Sequence, residues 1–545
     1  MTWRQRWLIL VPAALAVALL IGGCPGGGPS VDPSGGHGGP PEVDDSGGTV
    51  SIVSGSENKL LEETVILDFE RANRIDVQMH YKGSLDIMRG LREQSLTEYD
   101  AVWPANSLWL ALGDEHHLVK HEESIMRSPV VLGVKKSKAE QLGWVDAEVT
   151  VDDILEAAEA GKLTFMMTSA TQSNSGASAY FAFLNAFAGQ PEVLTAEHLE
   201  DPEVQEKIRR ILGEVDRSSG SSGWLKEYFF ENYESEFDAM VNYEALIIEM
   251  NQALVASGRE PLFAVYPRDG LAIADSPLGY LDRGDPQKEQ IFLKLQEHLL
   301  SEAAQRKILG LGRRVGLVGM AADASATDVF NPDWGIQPDL VISPIKFPPP
   351  KVISEALTLY QTSFRKPSFT VYCLDYSGSM TGEGISQLRE AMRTILDQEQ
   401  AEQYLLQFSA QDSTLVIPFS APESLRDEEP TEVWRVQGND QEKLDQLLQR
   451  ISGRQPEGGT DIYTPVMTAL ELCKDVEAKF PAVVLMSDGN PTAGRSMADL
   501  REFHAELGTG QRVPVFGIMF GMAEESYLEE IADLTGGRVF DGRED

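Results

Sequence analysis

The chain has 545 residues, more than one hydrophobic core usually covers, so two or more domains are expected. Its formal net charge is −39, and an acidic surface of this size repels phosphate backbones. The composition therefore argues against nucleic acid as a partner, and solvation of a large surface explains the charge more simply than a role in binding cations does.

The first 24 residues are predicted to be a lipoprotein signal peptide. Arg4 and Arg6 precede an apolar run, Trp7 to Ile21, that is too short for a comfortable membrane span. The run leads into Leu-Ile-Gly-Gly-Cys, which resembles a bacterial lipobox. The resemblance implies lipidation of Cys24, and several acyl chains would tether the protein to the membrane. The alternatives are an ordinary cleaved signal or an uncleaved anchor.

A tether is predicted to follow the signal peptide. In residues 25–48, 14 of 24 positions are Gly or Pro, and no apolar periodicity is present. Such a composition favours a flexible linker that lifts the next domain away from the membrane. The expected location is the extracytoplasmic face of a cell membrane, with the protein held there by its lipid anchor.

Residues 49–345 alternate between strand and helix patterns, which predicts an α/β domain. Strands are expected at residues 49–53, 75–81, 99–103, 128–134 and 164–168, with helices between them, and strands 262–266 and 271–274 would return the chain to the first lobe. Two such lobes joined by strand crossovers resemble a bacterial extracellular solute-binding protein of the periplasmic type. The resemblance implies that a small solute binds between the lobes.

In that family the ligand is held by helix amino-termini and short polar loops. The matching positions are Ser54, Ser56, Asn106 and Ser107 in one lobe, and Ser173, Asn174, Ser175 and Ser178 in the other. Free N–H groups at a helix start favour an anion, whereas Glu57 in the first loop counts against a small oxyanion. Each of these residues is equally well explained as a helix cap. The Ser-Gly-rich segment 218–223 is predicted to be a solvent loop.

A proline-rich spacer and a helix, residues 346–365, are predicted to separate the two domains. Residues 366–545 again alternate, with strands expected at 369–374, 404–408, 415–418, 482–486, 513–520 and 538–540. This order predicts a doubly wound, mostly parallel sheet with a binding site at a topological switch point. Cys373 and Cys473 are expected to be buried thiols, with a disulfide between them as the alternative.

Polar side chains follow two of these strands and one loop. Asp375, Ser377 and Ser379 occupy alternate positions of a turn after a buried strand, Thr460 lies in the loop Gly-Gly-Thr-Asp, and Asp488 follows strand 482–486. All five offer hard oxygen donors, which suit Mg²⁺ better than zinc or copper. The alternative for the first three residues is a purely structural role, in a turn that caps the next helix.

These five positions resemble the metal-ion-dependent adhesion site (MIDAS) of the von Willebrand factor type A (VWA) family, which has a Rossmann-like fold. The resemblance implies that Ser377, Ser379 and Thr460 bind Mg²⁺ or Mn²⁺ directly, while Asp375 and Asp488 act largely through waters. A Glu or Asp carboxylate of a partner protein would complete the coordination. The chain ends soon after the last strand, where type A domains usually add a helix, and segment 352–364 is a candidate for its place.

No catalytic motif competes with a binding function. The sequence has no Gly-x-Ser-x-Gly elbow, no phosphate loop and no His-Glu-x-x-His pair, so an enzyme is not expected. The pattern predicts a surface lipoprotein that binds a partner through metal, with a solute-binding module in front. The alternative is a solute receptor for an ABC-type transporter, in which the VWA domain is a docking module.

Overall fold

The computed structural model describes residues 48–145, 147–234, 237–316, 328–337, 344–421, 432–476, 479–508, 511–521 and 525–543. The predicted signal peptide, Cys24 and the predicted tether up to residue 47 lie outside the described residues. Within the described ranges no helix is both long and apolar enough to cross a membrane.

The described residues form the following strands, in chain order: β1 (Thr49–Ser54), β2 (Asp76–Tyr81), β3 (Ala101–Trp103), β4 (Val119–Ser124), β5 (Ser128–Lys135), β6 (Phe165–Thr168), β7 (Val215–Ser219), β8 (Ala239–Tyr243), β9 (Leu262–Val265), β10 (Ile273–Ala274), β11 (Pro277–Leu281), β12 (Ser368–Asp375), β13 (Ser413–Phe419), β14 (Trp434–Gln437), β15 (Phe480–Ser487), β16 (Val515–Met519) and β17 (Arg538–Asp541).

The α-helices of the same residues are α1 (Lys59–Leu61), α2 (Leu67–Asn73), α3 (Ser84–Glu93), α4 (Ser107–Gly113), α5 (Lys136–Leu142), α6 (Val151–Glu159), α7 (Asn174–Phe187), α8 (Ala196–Glu200), α9 (Pro202–Gly213), α10 (Ser222–Glu231), α11 (Glu244–Ala256), α12 (Pro286–Leu300), α13 (Glu302–Gly310), α14 (Pro350–Leu359), α15 (Glu383–Leu396), α16 (Gln398–Gln403), α17 (Gln441–Gly453), α18 (Tyr463–Cys473), α19 (Met497–Glu506) and α20 (Glu525–Thr535). Short 3₁₀ turns occur at Ser56–Asn58, Pro332–Trp334 and Gly378–Met380, and π turns at Glu62–Ile66 and Tyr360–Phe364.

Two sheets form the two predicted lobes of the first domain. The first lobe has the strand order β2-β1-β3-β11-β4, with β1 parallel to both β2 and β3. The second lobe has the order β10-β5-β8-β6-β7, with β9 paired to β5. The chain crosses to the second lobe through β5 and returns through β11, so the predicted two-lobed architecture is confirmed.

The second domain is a six-stranded sheet with the order β14-β13-β12-β15-β16-β17. All of its pairs are parallel except that between β13 and the edge strand β14. The central strand β12 is buried on both faces, because Tyr372 and Leu374 pack on one helix layer while Val371 and Cys373 pack on the other. The doubly wound, mostly parallel fold is therefore confirmed, and its carboxyl strand ends meet at one edge.

The helix between the domains packs against the second lobe. Helix α14 and the π turn that follows it place five apolar side chains in that lobe's core: Ile353, Ala356, Leu357, Tyr360 and Phe364. The Tyr180 hydroxyl donates to the Ala356 carbonyl at 2.8 Å, and the Tyr180 and Tyr360 rings meet edge to face. Segment 352–364, the candidate for a final helix of the second domain, therefore packs in the core of the first domain.

Three local expectations differ from the structure. Residues 404–408 form a loop and not a strand, and the Tyr404 carbonyl accepts a hydrogen bond from Arg89 of α3 at 2.7 Å. Strands β9 and β10 both pair with β5 and stay in the second lobe, so neither returns the chain to the first lobe, and the return falls to β11. Segment 218–223 is mostly buried where β7 leads into α10, because Ser221 contacts Ser56 of the first lobe and Ser222 contacts Ser175 of α7. Both described cysteines are free and buried.

Candidate functional site

The five predicted metal ligands converge at the carboxyl edge of the second domain's sheet. Asp375 ends β12, Asp488 follows β15, and the loop that carries Thr460 contacts the turn after β12 because Gly378 N–H donates to the Gly458 carbonyl at 2.9 Å. The hydroxyl oxygens of Ser377 and Ser379 lie 3.0 Å apart. Adjacent parallel strands and a crossover loop thus bring distant residues to one point.

Asp375 is held rigidly at this point. Its side chain is fully buried, and it accepts a hydrogen bond from Ser377 N–H at 2.7 Å and from the Ser487 hydroxyl at 2.5 Å. Burial raises the pKa of Asp375 to about 6, the two hydrogen bonds oppose the rise, and the nearby charge of Asp488 adds to it. Two carboxylates that repel each other in a buried setting favour a cation between them.

The donor set fits a hard divalent cation. Burial raises the pKa of Asp488, and its Oδ1 atom is buried without a hydrogen-bond partner. Neither Asp375 nor Asp488 takes part in an ion pair within the described ranges. No group of three or more His, Cys, Asp or Glu side chains in those ranges could hold a metal, so the hydroxyls of Ser377, Ser379 and Thr460 would have to supply the remaining protein donors.

Ser379 and Thr460 differ in their exposure. Ser379 is exposed, and its hydroxyl partly offsets the rise that burial causes in the pKa of Asp488, whereas Thr460 is 2% exposed. The Thr460 N–H donates to the Thr492 hydroxyl at 2.8 Å, which fixes the loop. Ser487 and Thr492 support the site without belonging to the predicted set. The sequence signal for Ser487 was its place directly before Asp488 at the end of a strand.

A second candidate site lies in the cleft between the two lobes of the first domain. The lobes are in contact there, because the hydroxyls of Ser56 and Ser221 lie 3.0 Å apart. The remaining cavity is about 20 Å³, room for one or two water molecules. Three helices begin at this cavity: α3 at Ser84, α7 at Asn174 and α10 at Ser222.

Of the eight predicted solute-binding residues, Ser56, Ser173 and Asn174 line the cavity. Ser175 lies one residue further along α7, with its hydroxyl 2.7 Å from that of Ser222. The others have structural partners or lie deeper: Ser54 accepts from Asn58, Asn106 caps α4, Ser107 donates to Asp275, and Ser178 is buried with its hydroxyl unpartnered.

Glu57, which the sequence placed in the first loop of this site, also lines the cavity. Sequence reasoning did not indicate the other side chains that line it, which are Lys59, Tyr81, Lys82, Ser84, Ser221, Ser222 and Tyr243. Ser221 and Ser222 were missed because a Ser-Gly run is typical of a solvent loop. Their signal was the helical pattern that begins at residue 222. Asn174 donates from Nδ2 to the Tyr243 hydroxyl at 3.0 Å, and this contact joins α7 to the end of β8.

Comparison with protein families assigns a domain to each site. Residues 50–312 match the model of a bacterial extracellular solute-binding protein, and residues 371–544 match the von Willebrand factor type A domain. Neither matched family is described as an enzyme. The chain is 26% identical over 184 residues to inter-alpha-trypsin inhibitor heavy chain H4 of Bos taurus and 28% identical over 181 residues to the Homo sapiens protein. Each match covers 31% of this chain but only 18% of the relative's length.

Several solved structures are similar to part of the chain. The sulfate-binding protein SubI of Mycobacterium tuberculosis is 16% identical, with 55% of this chain and 93% of that chain covered and a TM-score of 0.40. Iron-bound HitA of Pseudomonas aeruginosa is 16% identical, with 57% and 98% covered and a TM-score of 0.41. Maltose-bound MalE3 of T. maritima is 14% identical, with 58% and 93% covered and a TM-score of 0.42.

Proposed function

Since the chain contains a bacterial extracellular solute-binding domain followed by a von Willebrand factor type A domain, we propose that it is a membrane-anchored binding protein that holds a partner protein through Mg²⁺ or Mn²⁺. The extracellular family of the first domain implies an extracytoplasmic location. The partner would offer a Glu or Asp carboxylate to the metal, and the first domain would bind a small solute.

The observation that carries this proposal is the unpartnered Oδ1 of Asp488, buried beside Asp375 and three hydroxyls. An orphaned buried carboxylate oxygen is costly unless a ligand occupies the position it faces. Asp375, Ser377, Ser379, Thr460 and Asp488 would hold the ion. A bound divalent cation would supply an electrophilic position for a partner's carboxylate oxygen, because neutral hydroxyl ligands leave it most of its charge.

The chain's own residues prepare the site for binding. Ser487 and the Ser377 N–H hold Asp375 in one orientation, so little ordering is required when a ligand arrives. Exposed Ser379 gives access from solvent. No described His or Lys pairs with either carboxylate to act as a general base, which favours binding over hydrolysis.

Membrane attachment is part of the proposal and rests on Cys24 and the apolar run before it. Wild-type protein should fractionate with membranes, whereas Cys24→Ala should not be processed or retained in the same way. Unchanged processing and membrane retention of this variant would remove the anchor from the account.

A second candidate function is a solute receptor that delivers its ligand to a membrane transporter. The closed cleft favours it, since Ser56 and Ser221 meet across the lobes. The contacts of Arg89 also favour the receptor function. Arg89 donates to the Thr171 carbonyl in the other lobe at 3.3 Å and to the Tyr404 carbonyl in the second domain, so it joins both lobes to that domain. A genomic neighbourhood with a permease and an ATPase would support this function over adhesion.

The adhesion proposal can be tested with displayed peptides. A random peptide library is captured on the immobilised full-length protein in Mg²⁺ and eluted with EDTA. We expect enrichment of peptides with an exposed Asp or Glu, and loss of that enrichment on Asp375→Asn. Equal recovery of acidic and neutral peptides by the wild type would contradict carboxylate recognition.

A further inference from the structure

Glu57 introduces a carboxylate into the cleft between the lobes. Its Oε1 atom is inaccessible to solvent and has no hydrogen-bond partner, although part of the side chain is exposed. The carboxylate folds back over its own loop, since a Cβ on Gly55 would lie 2.2 Å from Oε1. The contact between Ser56 and Ser221 closes the lobes directly beside it. The carboxylate is thus a fixed feature of the closed cleft.

Burial of this carboxylate outweighs the groups that favour its charged form. The charge of Arg313 acts on it, but the Arg313 guanidinium pairs with Glu249 at 2.5 Å and donates to the Glu57 carbonyl at 2.9 Å. Burial raises the pKa of Glu57 to about 7, although a backbone N–H and Arg313 oppose the rise. Burial also raises the pKa of Tyr243, and the charge of Glu57 adds to that rise. The cleft therefore presents a negative or hydrogen-bond-accepting group that a bound molecule could satisfy.

The same cavity also presents positive ends. Helices α3, α7 and α10 have 10, 14 and 10 residues, and their first turns lie at the cavity wall. Each helix start carries a partial positive charge and free N–H groups. Lys82 also lines the cavity. The closed cavity has room for only one or two water molecules, so a larger ligand would enter with the lobes apart and would then meet both the anion-binding groups and the Glu57 carboxylate.

We propose that the cleft binds a small zwitterion of the amino-acid type, with its carboxylate at the helix starts of Asn174 and Ser222 and its ammonium group at Glu57. This inference rests on the proposed solute-binding function and names the class of its ligand. A tetrahedral oxyanion would satisfy the helix starts but would place negative charge against Glu57. A neutral sugar would leave both charged regions without a counter-charge.

The specificity role of Glu57 follows from this arrangement. Glu57→Gln keeps the size of the side chain and removes its charge, so it should weaken zwitterion binding at least tenfold and remove the repulsion of oxyanions. Glu63→Gln is the matched control, since Glu63 is an exposed carboxylate six residues further along the chain. It changes the net charge by the same amount without altering the cavity.

The test is a thermal-shift series on the full-length protein with glycine, alanine, serine, glutamate, sulfate, molybdate and glucose. We expect one or more amino acids to stabilise the wild type and Glu63→Gln, and to lose this effect on Glu57→Gln. Stabilisation of the wild type by sulfate, molybdate or glucose but by no amino acid would overturn the inference and leave solute binding intact. No stabilisation of the wild type by any of the seven compounds would overturn both. Equal stabilisation of wild type and Glu57→Gln by an amino acid would remove Glu57 from the account.

Discussion

The Ser487 hydroxyl donates to the Asp375 carboxylate at 2.5 Å and so joins the ends of β15 and β12, two strands separated by more than a hundred residues. The same hydroxyl accepts from Gly489 N–H at 2.9 Å. One serine therefore fixes both halves of the candidate metal site, and both of its partners are buried.

Ser487→Ala should destabilise the protein by about 1–3 kcal/mol, because it leaves a buried carboxylate with one partner fewer. Denaturant unfolding, followed by circular dichroism, measures the change. Ser496→Asn is a suitable control, since this exposed helix cap should keep its capping bond and change stability by only a few tenths of a kcal/mol. A stability of Ser487→Ala equal to that of the wild type would mean that the short hydrogen bond contributes nothing.

The position of α14 makes a prediction about the first domain. A fragment of residues 48–365 should be more stable than one of residues 48–345 by roughly 5 kcal/mol or more, since the shorter fragment exposes the cavity left by four large apolar side chains. Thermal unfolding of the two fragments measures the difference. Equal melting temperatures would show that the helix is a passive spacer.

Glu57 should make stability depend on pH. Its pKa in the folded protein, about 7, is above the ordinary value of 4.5, so the unfolded chain loses this proton first and stability falls as the pH rises from about 4.5 to 7. Glu57→Gln removes that loss and should therefore be more stable than wild type at pH 8, by up to about 3 kcal/mol. The advantage should shrink towards pH 4.5. An unchanged difference across this range would contradict the buried position of the carboxylate.

The first domain also contains a buried ion pair between Arg314 and Glu244, in which Nε and Nη2 of the arginine lie 2.8 Å from the two carboxylate oxygens. Both side chains are at most 1% exposed. Arg314→Met should cost about 3–5 kcal/mol, because it leaves Glu244 buried and unpaired. Arg306→Met removes an exposed pair with Glu302 and should cost less than about 1 kcal/mol. Similar losses for the two variants in denaturant unfolding would contradict this distinction.

Much of the fold could be predicted from the sequence because it depends on local periodicity. Strands such as β12 and β15 are apolar runs that end in polar residues. Their assignment as strands, their order along the chain and the convergence of Asp375 and Asp488 could therefore be predicted from the sequence. Residues 404–408 were wrongly predicted to be a strand because their apolar side chains pack between the domains. No local sequence pattern distinguishes such a buried loop from a buried strand. Arg89 donates to the Tyr404 carbonyl of this loop and Gln361 donates to the Gln407 carbonyl, and both donors lie far from the loop in the sequence.

The cleft was harder to predict for the same reason. Ser221 and Ser222 lie in a low-complexity segment, and only the approach of the second lobe to Ser56 gives them a role. Glu57 could be recognised as unusual in a polar loop, but its burial depends on the closed lobes. By contrast, Asn106 and Ser107 matched the pattern of a polar loop before a helix, but their side chains have structural partners. Asn106 caps α4, and the Ser107 hydroxyl donates to Asp275.

The relative weights of the metal-site residues can be ranked. Ser377→Ala deletes one neutral donor that water can replace, so it should weaken Mg²⁺ binding less than Asp375→Asn does, which removes half of the nearby carboxylate charge. Titration of both variants with Mg²⁺ and Mn²⁺ gives the order. A Ser377→Ala protein that loses more affinity than Asp375→Asn would contradict a mainly electrostatic site.

Calorimetric titration of the full-length protein with Mg²⁺ tests the central claim most directly, with wild type, Asp375→Asn and the control Asp499→Asn compared at one pH. Asp499 lies in the exposed capping box of α19, where an asparagine oxygen can still accept the hydrogen bond from Ser496 N–H. Circular dichroism confirms that each variant is folded. We expect one Mg²⁺ site in wild type and in Asp499→Asn, and no measurable binding to Asp375→Asn. Equal Mg²⁺ affinity in wild type and Asp375→Asn would place the ion elsewhere and contradict the proposed function.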